Sequence, residues 1–215
     1  MTTAAPTRRR YSPRMPREER REQLLDATLR LIAEHGFGGV SMEAVAREAE
    51  IAKTVVYDAF GGKGELFQAL FEREQERVLG AIAEAVPTPP LAGDPAAILV
   101  DSITTVLESV HRNPETWRLI VLPADGTPPA LREEVNRHRE QLVHQIEPMV
   151  EWGVANLSLG RLDVELGAHA IIAGAEDAIR LTLTYPERFP PDRVAGFAGD
   201  LLAAIAGPPA RSATP

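Results

Sequence analysis

Residues 41–63 read SMEAVAREAEIAKTVVYDAFGGK, two short helical patterns joined by a tight connection and closed by an aromatic residue, two glycines and a lysine. Nothing else in the chain constrains the fold as much. In the first pattern Met42, Val45, Ala46 and Ala49 recur three or four apart and so share one helix face. Ser41 stands where a hydroxyl can cap the free N–H groups, and Glu43 favours the positive end of the helix dipole. The second pattern, from about Lys53 to Ala59, offers Val56 for burial, with Phe60 just beyond it. Neither piece has enough apolar surface to stand alone, so each must dock on longer helices. Short helix, tight turn, short helix between two longer ones is the build of a helix-turn-helix head.

The flanks supply those longer helices. From Arg17 or Glu18 to Glu34, Leu24, Thr28 and Leu31 form one stripe, with Leu25, Leu29 and Ile32 beside it. His35-Gly36 stops this helix, glycine being suited to a left-handed cap, and Phe37 and Val40 close the small core. After Gly61-Gly62 a long helix is expected from Lys63 to about Val86, burying Leu66, Phe67, Leu70, Phe71, Val78, Leu79 and Ile82. It is longer than a head requires, so its distal half should enter a second domain. Ahead of these elements, residues 1–16 carry four arginines and three prolines without apolar periodicity, which predicts a disordered basic tail able to lie on phosphate.

Charge divides the same way. The net charge is −8, yet eleven Arg and Lys stand against nine Asp and Glu through Gly64, and twelve against twenty-two beyond it. A positive head on an acidic body presents the head to phosphate. With no cysteine, disulfides and thiolate metal sites are excluded. No apolar run approaches the roughly 18 residues of a membrane span, and no signal-like segment follows the basic start, so no membrane partner and a cytoplasmic location are expected.

Beyond the proline-rich loop at 87–95 the body reads as helical throughout. Helices are expected at 96–111, 115–122, 129–152, 163–184 and 191–205, with Asn113-Pro114, the run 123–129 and a loose connection at 153–160 between them. Pro148 should kink the third of these or end its regular part. No strand series and no internal repeat is present, so the fold class is all-α, about nine helices in total. Small residues Gly167, Ala170, Gly174 and Ala178 recur beside Ile171, and Phe197 and Leu201 add bulk in the last helix. Two such helices can pair with their symmetry mates in a four-helix interface, so Gly167, Ile171, Gly174, Ala178, Phe197 and Leu201 are the candidate dimerisation residues. Trp117, Met149 and Trp152 can line an apolar cavity, with His111, His169, Glu176, Asp177 and Arg180 adding polarity for an amphipathic ligand. Each aromatic among them also fits plain core, and Asp177 with Arg180 fits a surface ion pair.

The stretch LLDATLRLIAEHGFGGVSMEAVAREAEIAKTVVYDAFGGKGELF, within residues 20–71, resembles the TetR family of transcriptional regulators. The resemblance implies a head at 17–71, a helical ligand-binding and dimerisation domain at 72–207 and a disordered end at 208–215. It also implies a homodimer that represses transcription from a palindromic double-stranded operator and is released by a small-molecule effector. In the matching motif the helix beginning near Ala52 is the recognition helix, so Lys53, Thr54, Val55, Tyr57 and Asp58 are its candidate DNA-facing residues. Tyr57 and Lys63 correspond to phosphate contacts, and Ser41 adds a backbone contact; such groups fix register while side chains at base edges select sequence. Two residues depart from the family pattern. Glu50 stands where glycine is common in the turn, and Ala52 where serine often caps the recognition helix. A positive φ at Glu50 would carry strain, and Ala52 has no side-chain oxygen with which to cap.

Other chemistry is not indicated. Gly61-Gly62-Lys63 lacks the spacing and following hydroxyl of a phosphate loop. The five histidines are scattered, no metal site or cofactor is expected, and no Gly-x-Ser-x-Gly nucleophile motif occurs, so an enzyme is not expected. The alternative of a different class is a helical interaction or scaffold protein with a vestigial DNA-binding head.

Overall fold

The computed structural model describes residues 15–122, 127, 129–157 and 159–206. The expected tails, apart from Met15 and Pro16, and most of the break at 123–129 lie outside the described residues. Among those described, nine α-helices and one 3-10 turn make up the regular structure, with no strand. They are α1 (Arg17–His35), α2 (Met42–Glu48), α3 (Lys53–Phe60), α4 (Lys63–Ala85), α5 (Pro95–Arg112), α6 (Pro114–Val121), α7 (Pro129–Asn156), α8 (Val164–Thr184) and α9 (Pro191–Ala206), with the turn at Phe37–Gly39.

The local signals in the head act as their chemistry requires. Gly36 has φ 66° and ψ 179°, a region essentially reserved for glycine. Its φ is positive as expected of a cap, but its ψ is extended, so the chain turns straight into Phe37–Gly39. Ser41 Oγ accepts from the Ala44 N–H at 3.1 Å. At the other end of α2, Ile51 N–H donates to Ala46 O at 2.9 Å and Glu50 N–H to Arg47 O at 3.2 Å. These two bonds make a Schellman motif, whose left-handed position usually holds glycine. Here it holds Glu50, with φ 57°.

Leu24, Val45, Val56, Phe60, Leu66 and Leu70 bury together between α1 and α4, and the Phe37 ring meets Phe67 edge-on at 5.2 Å between centroids. The same core continues along α4 into the body through Leu107, Val110, Trp117, Ile179 and Leu183. A second, smaller core of Val143, Ile146, Val150 and Ala168 joins α7 to α8.

Body helices begin on caps legible in the chain. Asp94 accepts from Ala96 N–H at 3.0 Å ahead of Pro95, and Asp163 from Leu166 N–H at 3.1 Å. The expectation at Pro148 needs correcting in one respect. α7 continues through it for 28 residues and ends at Asn156, so Gly153 is helical rather than part of a loose connection. The proline removes one hydrogen bond, while Ile146 and Val150 on either side are held in the second core.

Head and body meet at a buried charge cluster. Glu74 is fully buried on α4, on the same stripe as Leu70 and Val78. Its carboxylate pairs with Arg73 at 2.7 Å and Arg77 at 3.1 Å and accepts from Thr116 Oγ1 on α6 at 2.5 Å. Arg73 also reaches back to α1, 2.8 Å from Glu22 and 2.9 Å from Asp26. Burial works against the Arg73 charge, but the surrounding carboxylates outweigh it and hold the guanidinium pKa above its ordinary value.

Candidate nucleic-acid interface and body cavity

α3 is anchored from beneath by Val56 and Phe60, which are 0% and 2% exposed. The Arg21 guanidinium covers the Phe60 ring at 4.2 Å. That anchoring turns Lys53, Thr54, Tyr57 and Asp58 to solvent and leaves Val55 half-buried. The outward residues fall at i and i+4, a strip about the width that a major groove admits. Ala52 makes no side-chain cap, and the first turn is closed by Val55 N–H donating to Ala52 O at 3.0 Å.

The cations on this face already have partners. Lys53 forms an ion pair with Glu43 of α2, and its ammonium lies 5.4 Å from the centre of the Tyr57 ring. The hydrogen bond from Lys53 lowers the Glu43 pKa, and the same bond raises that of Lys53. Both groups are exposed, so the pair holds Lys53 in place at little cost to a competing phosphate. Lys63 donates to Phe37 O at 3.4 Å and lies 5.1 Å from the Phe67 ring centre. Ser41 accepts from Ala44 N–H, and its hydroxyl is also, after Lys53, a minor contributor to the lowered Glu43 pKa. Glu50 and Asp58 are both exposed.

In the body, α4, α5, α6, α7 and α8 surround a cavity of about 590 Å³. Of the expected ligand residues, Trp117, Met149, Asp177 and Arg180 line it, together with Glu176; Trp152 and His169 do not. The start of α8 packs on α7 instead: a Cβ on Gly167 would come within 3.1 Å of Val150 Cγ1. His111 lies instead beside a separate depression with Glu108, Arg112 and Pro191. Trp117 is 1% exposed and its indole N–H donates to Ser109 Oγ at 3.3 Å, so it presents only apolar surface to the cavity. The Asp177–Arg180 ion pair forms, and Arg139 Nε donates to Glu176 at 2.8 Å across α7 and α8.

The expected dimerisation residues also divide. Ile171 and Ala178 line the cavity, and Gly167 packs against α7 within the chain. Gly174, Phe197 and Leu201 face outward. Phe197 is 66% exposed, and Leu166 and Ile205 are about equally so, which gives α8 and α9 an apolar outer surface.

Sequence reasoning passed over several buried polar residues, Glu74 and Ser102 among them. Glu74 was detectable as a charge on an apolar stripe. Ser102 interrupts the run Leu99, Ile103, Val106, Leu107 on α5; it lines the cavity, and its hydroxyl has no hydrogen-bond partner among the described residues. Such a group carries a desolvation cost of about 1–3 kcal/mol. Among the described residues no group of His, Asp and Glu could hold a metal ion, and no helix is long and apolar enough to cross a membrane.

Comparison with known proteins adds the following. The sequence profile "Bacterial regulatory proteins, tetR family" matches residues 24–70. A solved TetR-like transcriptional regulator from Rhodococcus sp. RHA1 is 30% identical, with 90% of this chain and 96% of that one covered and a TM-score of 0.66. The HTH-type transcriptional activator FasR of Mycolicibacterium smegmatis is 28% identical over 111 residues, 52% of this chain and 49% of that protein. The match thus spans about half the length of that curated relative. The regulator FadR from Bacillus subtilis, solved in complex with stearoyl-CoA, has a TM-score of 0.64 at 16% identity, with 84% of this chain and 96% of that one covered; that likeness is one of fold.

Proposed function

The chain belongs to the TetR family of transcriptional regulators, and from that premise we propose that it is a homodimeric repressor, released from a palindromic operator by a small molecule in the body cavity. As a member of that family it is a DNA-binding regulator and not an enzyme. The observation that carries the finer reading is the disposition of α3, whose apolar side is locked down at Val56 and Phe60 while Thr54, Tyr57 and Asp58 stand free of the head. One such helix reads few base pairs. Two related by a twofold axis read a palindrome, and the apolar outer surface at Phe197 and Leu201 supports that pairing. Tyr57 and Lys63 would fix the register on phosphate, and Lys53, Thr54 and Val55 would meet base edges. The protein acts in the cytoplasm, where its operator lies.

The cavity supports control by a ligand with a large apolar portion, since its wall is mostly Ile, Val, Leu and Trp117. The stearoyl-CoA complex of the B. subtilis protein is consistent with that use of the fold. Release then requires a ligand that binds the DNA-incompetent head spacing more tightly than the competent one. The M. smegmatis relative is named an activator, so the sign of control follows from where the operator sits in its promoter.

The test is selection of genomic fragments by the purified protein, followed by mobility shifts on the recovered sequence. A repeated palindrome is expected, with binding weakened about tenfold or more by Tyr57→Ala with Lys63→Ala. Absence of any bound fragment at low salt would overturn the proposal and favour the scaffold alternative.

A further inference from the structure

The way into the cavity can be read from its wall, resting on the reading of that cavity as the effector site. The inner wall is sealed: Leu107 and Trp117 are each 1% exposed, and Val78, Ile120 and Ile179 are buried. Of the described lining residues, only Asn136 of α7 and Ala173, Asp177 and Arg180 of α8 are exposed. A residue that lines the cavity and also meets solvent marks where the cavity reaches the surface. The opening therefore lies between the N-terminal half of α7 and the middle and C-terminal part of α8.

Arg139 and Glu176 stand in that opening. Both line the cavity, Arg139 one turn beyond Asn136 on α7 and Glu176 between Ala173 and Asp177 on α8. Arg139 Nε donates to Glu176 Oε1 at 2.8 Å, and the two side chains are 27% and 41% exposed, so water reaches both. Further along, the same two helices are joined by the second core of Val143, Ile146, Val150 and Ala168. The seam is thus closed by apolar packing at one end and by a water-accessible ion pair at the opening. Such a pair adds little stability and parts at small cost, whereas close packing resists separation. We propose that the effector enters and leaves between α7 and α8, and that the Arg139–Glu176 pair is the gate it must part. The pair then sets how fast the cavity exchanges its ligand and has little effect on how tightly the ligand is held.

The test follows Nile red, an uncharged dye that brightens in apolar surroundings, into the full chain by stopped flow. Ile103→Trp or Leu99→Trp, whichever keeps the helical circular dichroism, fills the cavity from α5 and should abolish the bound signal, which places the dye. Arg139→Ala and Glu176→Ala should each speed binding and release about threefold, with the dissociation constant moved by less than about twofold. Arg139→Glu with Glu176→Arg, which reverses the pair, should restore the parent rates. The chain has no cysteine, so Arg139→Cys with Glu176→Cys can be joined selectively by bis-maleimidoethane. Once joined, it should take up and release the dye about a hundredfold more slowly than the same variant unjoined.

Uptake by the joined protein at the unjoined rate would overturn the route between α7 and α8. Single variants with the parent's rates would overturn the gate, as would a weaker affinity carried by the release rate alone, the mark of a binding residue. Release that slows as protein concentration rises would place a second copy over the opening and overturn the pair as its gate. If filling the cavity leaves the dye signal intact, the effector-site reading fails together with this one. Loss of operator binding alone would leave every rate intact.

Discussion

In the head, Leu24, Val45, Val56 and Leu66 are sealed completely from solvent, whereas in the body Ile103, Val106, Met149 and Ile171 stop at partial burial around a cavity. The head is a small core with every inward position filled. The body leaves space inside at the α4–α8 cavity and apolar surface outside at Leu166, Phe197 and Ile205. Tight packing resists deformation, and loose packing tolerates a guest. The contrast therefore puts rigidity where side chains must be held against DNA, and adaptability where a ligand or second subunit can complete the packing.

The sharpest way to break that contrast is truncation on both sides of it. Phe60→Ala should cost about 3–5 kcal/mol of stability, because a sealed aromatic site cannot collapse. Met149→Ala, beside existing space, should cost only about 1 kcal/mol in the same denaturant titration. Similar losses would mean that the two regions are packed alike. A smaller effect tests the one strained joint of the head. Glu50→Gly should raise stability by about 1 kcal/mol, seen as a higher thermal midpoint, since glycine takes the left-handed position of the Schellman motif without a Cβ clash. A lowered midpoint would show that the glutamate is held there by more than tolerance.

The smallest effect concerns the pair across α2 and α3. The Glu43 pKa is lowered from its ordinary 4.5 by the Lys53 hydrogen bond, so its contribution is present above 4.5 and is lost as pH falls through the folded value. That of Lys53 is raised from 10.5, so its contribution is present below 10.5 and is lost as pH rises through the folded value. Glu43→Gln should thus fall slightly below the parent in stability at pH 7 and converge with it in acid. A difference that persists once the carboxylate is protonated would rule out the pair as its source.

How far the chain could be read follows from the range of its constraints. Ser41, Gly36, Val56 and Phe60 act through neighbours a few residues away, and each stands where its pattern put it. Even the departures were legible, Glu50 with its positive φ and Ala52 without a side-chain cap. The cavity was less so, because its wall depends on how helices distant in sequence are rotated. Trp152 and His169 belong to suitable residue types but fall outside the cavity lining; Ile171 and Ala178 look like interface residues but turn inward. Pro148 reads as a break, yet the buried residues around it keep α7 helical. Glu74 and Ser102 were visible as polar interruptions of apolar stripes, but their partners, or lack of them, emerge only from packing.

The Glu74 cluster bears on how such proteins can be recombined. The expected domain boundary between residues 71 and 72 falls inside α4, so a graft made there would bring Glu22 and Asp26 with the head and leave Arg73, Glu74, Arg77 and Thr116 to the recipient. A mismatched head would leave the largely buried Arg73 guanidinium without the two α1 carboxylates that pair with it across the seam. Head and body are therefore interchangeable only when the head's Glu22 and Asp26 are matched to the body's Arg73.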